Sequence, residues 1–135
     1  MNDIELFGRC LCGAVHYRIA GAIRNRCYCH CESCRRASGA PVVAWGTVDR
    51  VAFQLSKGAL AIHHSSPNVE RGFCSTCGTT LTYAHAERAD EIDFTLSSLA
   101  DPSRAAPEMH IWLRDKLPWL VLGDTLPRHE TVTPE

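Results

Sequence analysis

Apolar and polar positions alternate in four short runs of the chain: 15–19 (VHYRI), 51–55 (VAFQL), 81–83 (LTY) and 92–96 (IDFTL). A period of two places successive side chains on opposite faces of an extended backbone, so each run predicts a strand with one buried face. Gly and Pro punctuate the chain at Gly21, Gly39, Pro41, Gly58, Pro67 and Gly72, which leaves no room for a long amphipathic helix. A short helix starting near Cys34 and a weaker helical segment over 101–106 are the helical candidates. The pattern therefore predicts a mainly β fold with little helix. The sequence shows no repeat at solenoid spacing, and the tail over 129–135 reads as unstructured.

A length of 135 residues suits a single domain, 1–135, with enough chain to bury a core. Fourteen Lys and Arg against fifteen Asp and Glu give a net charge of -1, so neither nucleic acid nor an anionic membrane is an expected partner. The first residues carry no apolar run of the secretory kind, and no later stretch approaches the roughly 20 apolar residues of a membrane span. A cytoplasmic protein is expected. In that reducing compartment the eight cysteines read as thiolates held by metal. A secreted chain would instead use them as a disulfide framework.

The cysteines fall into three blocks: Cys10 and Cys12, then Cys27, Cys29, Cys31 and Cys34, then Cys74 and Cys77. Gly follows directly after Cys12 and after Cys77, where a tight turn needs a residue that tolerates positive φ. Two matching knuckles of this kind predict one four-cysteine site, with zinc as its natural occupant because four thiolates in a tetrahedron are a usual structural arrangement for that ion. Such a site clasps distant parts of the chain and is structural. In the middle block, an extended 27–31 segment would place Cys27, Cys29 and Cys31 on one face and Tyr28 and His30 on the other. A turn after Cys31 would then bring Cys34 back to the same ion. Cys29, Cys31 and Cys34 predict a second zinc, two per chain in all, with Cys27 as the candidate fourth ligand. Without Cys27 the ion keeps an open position, as catalytic zinc sites do. With Cys27 both zincs are closed and structural. His30 reads as an orienting or packing residue, and the aromatic residues read as core and rim.

The blocks GRCLCGAV (8–15), CHCESCRRASG (29–39) and RGFCSTCG (71–78), continuing weakly through His110 and Trp119, resemble the family of glutathione-dependent formaldehyde-activating enzymes, which includes the centromere-protein V type proteins. The resemblance covers about 8–127. It implies an Mss4-like fold, several short coiled antiparallel sheets organised around zinc. It also implies that Cys10, Cys12, Cys74 and Cys77 hold a structural zinc and that Cys29, Cys31 and Cys34 hold a reactive one. The implied activity is that of a carbon–sulfur lyase, joining glutathione to formaldehyde or releasing the two. Arg35 and Arg36 are then candidates to hold the carboxylates of a glutathione-like thiol, and His110 is a candidate pocket residue. The rival expectation is a non-catalytic, zinc-stabilised interaction module, as in GTPase-binding proteins that share this fold.

Overall fold

The computed structural model describes residues 5–132. Among these, ten strands form two sheets. The smaller sheet has the order β1 (Glu5–Arg9), β2 (His16–Ala20) and β5 (Phe53–Lys57). The larger runs β10 (Met109–Ile111), β3 (Arg24–Cys29), β4 (Val43–Asp49), β9 (Glu91–Thr95), β8 (Thr80–His85), β7 (Val69–Phe73) and β6 (Ala61–Ser66). The pairings are antiparallel except β10 with β3, which is parallel. The one α-helix among the described residues, α1 (Glu32–Ser38), lies between β3 and β4. The mainly β fold expected from the alternation is therefore present.

The run 15–19 corresponds to β2, 81–83 lies inside β8, and 92–96 corresponds to β9. The run 51–55 begins as a 3-10 turn, Arg50–Ala52, and becomes strand only at Phe53. The helix expected near Cys34 starts at Glu32, because Cys31 caps it through sulfur. The segment 101–106 is no α-helix. It forms the single 3-10 turn Pro102–Arg104, and Pro107 disfavours helical backbone at the residue before it. The tail also departs from expectation as far as it is described. His129 N–H donates to the His110 carbonyl at 2.9 Å, and Trp112 N–H to the Thr131 carbonyl at 2.8 Å, so 129–131 is docked along the β10 edge; 133–135 lie outside the described residues.

Both sheets contribute to one buried cluster. Leu6, Tyr17 and Ile19 from the smaller meet Val48, Leu81 and Phe94 from the larger. The Tyr17 ring stacks on Phe53 at 5.0 Å and meets Phe94 edge-on at 5.9 Å. Gly8, opposite Tyr17 in the β1–β2 ladder, is required there, since a Cβ would stand 2.2 Å from the tyrosine ring. A second cluster gathers Cys27, Cys29, Cys34, Val43 and Trp45 around the β3–β4 pair. The two clusters correspond to the two cysteine groups, with Cys10 and Cys74 in the first.

Candidate metal centres

The turns of two hairpins carry the first group. Residues 10–15 link β1 to β2, and 74–79 link β7 to β8. The two turns repeat one hydrogen-bond scheme. Cys10 N–H donates to the Val15 carbonyl and Cys74 N–H to the Thr79 carbonyl, each at 3.1 Å, while Gly13 and Gly78 donate back to the carbonyls of Cys10 and Cys74. The glycines have φ of 81° and 83°, the left-handed turn expected after each second cysteine. Leu11 N–H donates to Thr79 Oγ1 at 3.0 Å and joins the knuckles directly. The sulfurs of Cys10, Cys12, Cys74 and Cys77 all lie within 4.8 Å of one another.

All eight cysteines are free thiols. The Sγ atoms of Cys10 and Cys12 are 3.7 Å apart and those of Cys12 and Cys74 3.8 Å. A disulfide needs about 2.05 Å, whereas two sulfurs of a tetrahedral zinc site, each about 2.3 Å from the ion, are separated by about 3.8 Å. The spacing fits metal thiolates. The Thr79 hydroxyl, with the backbone N–H groups of Thr79 and Cys12, holds the Cys77 thiol down at about 5, which favours the charge state a ligand needs.

The second group stands where β3 runs into α1. Cys29 ends the strand, Cys31 caps the helix by accepting from Cys34 N–H at 3.3 Å, and Cys34 projects from its first turn. A cysteine cap replaces the more usual Ser or Asp and places its sulfur beside the other two. The Asp115 carboxylate accepts from Glu32 N–H at 3.2 Å and fixes the helix start. The three sulfurs lie within 4.8 Å of one another, with Cys29 and Cys34 3.7 Å apart. Cys29 and Cys34 are buried; Cys31 is partly exposed. Hydrogen bonds with Cys29 and Cys34 push the Cys31 thiol far down, whereas those with Cys31 and Cys34, and then burial, push Cys29 far up. The three cannot ionise together without a cation, which is a reason the set suits a divalent ion.

Cys27 stays outside this triad. Burial, and then the Asp93 carboxylate, push its thiol up to about 12, so it behaves as a neutral core side chain. The expected fourth ligand is therefore not assembled with the other three. Cys27 begins the buried part of the strand, across from Trp45.

The sequence-based candidates for substrate contact separate. Arg36 is exposed and donates to Glu32 at 2.8 Å. Arg35 Nε is buried without a hydrogen-bond partner. His110 is buried, and each ring nitrogen already has a partner: Nδ1 lies 2.9 Å from His30 Nε2, and Nε2 lies 2.9 Å from an Asp124 carboxylate oxygen. The pocket contact expected of His110 gives way to a buried chain, Asp124–His110–His30. The ionised Asp124 carboxylate accepts from His110 Nε2–H, which leaves His110 Nδ1 to accept from His30 Nε2–H. The orienting part expected of His30 is consistent with this geometry. Asp124 was not foreseen, since nothing near it in sequence points to His110. Arg71 was also missed as a site residue, although it stands three positions before Cys74. Its guanidinium nitrogens lie 3.9 and 4.0 Å from Cys34 Sγ.

A cavity of about 530 Å³ opens beside Cys10, walled by Arg9, Leu11, Ser38, Thr79 and Leu99. None of Cys29, Cys31 and Cys34 lines it, so volume and thiol chemistry point to different places.

Residues 5–115 match the model of the glutathione-dependent formaldehyde-activating enzyme family. The chain belongs to that family. An uncharacterized lyase of Schizosaccharomyces pombe is 33% identical over 81 residues, covering 60% of this chain and 58% of its own length. The crystal structure of a Rhodobacter sphaeroides protein superimposes with a TM-score of 0.60 at 23% identity, covering 73% of this chain and 94% of that one. It supports the fold of this family member. Among the described residues no helix is long and apolar enough to cross a membrane.

Proposed function

We propose that this family member is a zinc-dependent carbon–sulfur lyase acting on the adduct of glutathione, or a related thiol, with formaldehyde or another small aldehyde. The observation that carries this reading is the asymmetry of the two cysteine groups. One has four sulfurs in mutual reach, and the other has three with Cys27 set apart. Cys10, Cys12, Cys74 and Cys77 would hold a structural zinc; Cys29, Cys31 and Cys34 would hold one with a position left for substrate. Such an ion supplies a Lewis acid that favours the ionised form of a thiol near neutral pH.

The remaining work falls to the chain. In the adding direction a sulfur–carbon bond forms, the carbonyl π pair moves to oxygen, and the thiol proton ends there; the reverse breaks the same bond, and no oxidant is needed. The partial exposure of Cys31 supplies the approach to the triad. Arg35 is a better placed candidate than Arg36 for a substrate carboxylate, because Arg36 is already paired with Glu32. The Asp124–His110–His30 chain holds the backbone between Cys29 and Cys31, which sets the sulfur positions.

Exchange between free formaldehyde and its glutathione adduct, followed by NMR, tests the reading. The protein should speed exchange above the spontaneous rate, and Cys31→Ser should abolish the gain. Two bound zincs with no acceleration would favour the interaction-module alternative, for which the exposed Trp119 and Val121 would be the natural contact residues.

A further inference from the structure

Arg71 occupies the middle of β7, opposite Tyr83 on β8. Its side chain is buried, at 7% exposure. Nε donates to Ser65 Oγ at 3.1 Å, the guanidinium carbon lies 5.0 Å from the centre of the Tyr83 ring, and the two terminal nitrogens face Cys34 Sγ. Among the described residues no carboxylate forms an ion pair with it, although six other arginines do so. A buried cation without a counter-charge is costly, so the negative partner of Arg71 must be the sulfur cluster. Distances near 4 Å are long for hydrogen bonds yet short for attraction between charges.

Three thiolates around a divalent ion carry one net negative charge. A neutral fourth donor leaves that charge unchanged, whereas an anionic one raises it to two in a poorly solvated site. We propose that Arg71 sets the charge preference of the open position, making it selective for the thiolate of a small thiol over a neutral donor. The proposal rests on reading Cys29, Cys31 and Cys34 as a metal centre. Ser65 and the Tyr83 ring hold the guanidinium in place, so its charge is fixed before any ligand arrives. The residue acts through charge at the ligand shell and is a specificity determinant.

The test uses the full chain loaded with cobalt(II), whose visible bands report a fourth donor at the triad; the four-cysteine centre, with its shell full, is the internal reference. The probes are 2-mercaptoethanol, which has no charge besides its thiolate, and imidazole, which is neutral. Arg71→Met should weaken 2-mercaptoethanol binding about tenfold while imidazole stays within about twofold of the wild type. Arg71→Lys should recover much of the loss. If Arg71→Met does not fold, Arg71→Gln makes the same comparison with the Ser65 contact available. Equal weakening of both probes would show a merely structural role and overturn the proposal, as would no change in either. A wild-type chain with no cobalt bands beyond those of the four-cysteine centre would overturn the metal reading itself, and the proposal with it.

Discussion

Cys77→Ser and Cys31→Ser remove one sulfur each, yet they should differ in cost, because the two clusters close loops of different size. The first joins Cys12 to Cys74 across 62 positions, and the second joins Cys29 to Cys34 across five. If a metal cross-link restricts the unfolded chain as a disulfide does, closing the long loop contributes about 4 kcal/mol and the short one about 2 kcal/mol. At about 4 °C per kcal/mol for a chain of this size, Cys77→Ser should lower Tm by about 15 °C and Cys31→Ser by about half as much. Thermal melts followed by circular dichroism measure this, with bound metal counted in parallel by elemental analysis. Two zincs are expected in the wild type and one in each variant. Stripping both ions with a strong chelator should bring the three proteins to nearly the same Tm. Equal losses in the two variants, or a gap that survives the chelator, would refute the assignment of the long-range clasp to the four-cysteine centre.

Burial raises the Tyr17 hydroxyl to about 12, above its ordinary value of 10, despite its contact with Ser98 at 2.6 Å. Because the unfolded chain loses this proton first, the stabilisation is full below pH 10 and should fall as pH climbs from 10 towards 12; Tyr17→Phe should flatten that slope in denaturant melts, and an unchanged slope would place the alkaline sensitivity elsewhere. Ring-nitrogen NMR at neutral pH should find both His30 and His110 protonated on Nε2, the tautomers required by the order Asp124–His110–His30. A proton on Nδ1 of either ring would break that chain.

Much of the site was legible in the sequence, because each cysteine knuckle is a local object. A glycine directly after the second cysteine fixes a left-handed turn, and the turn fixes where both sulfurs point, so the grouping of Cys10 and Cys12 with Cys74 and Cys77 needed no tertiary information. Strands whose burial alternates along the chain, such as β2 and most of β9, were legible for a similar reason. β4 was not: between β3 and β9 it is covered on both faces, so Trp45, Gly46, Thr47 and Val48 are all buried and the alternation vanishes. Alternation leaves the part of Cys27 open, because it predicts which face a side chain takes and is silent about its distance from its neighbours. Cys27 shares a face with Cys29, yet its strand carries it into the layer against Trp45, while the Cys31 cap and the first turn of α1 fold Cys34 back onto Cys29. The contacts that complete the site arise from the same difference of scale. Arg71 reaches Cys34 across 37 positions and His110 reaches His30 across 80, and in each case the pairing exists only because sheet order brings the strands together. A sequence can therefore display the ligands of such a centre while hiding the groups that set its charge and hold its backbone.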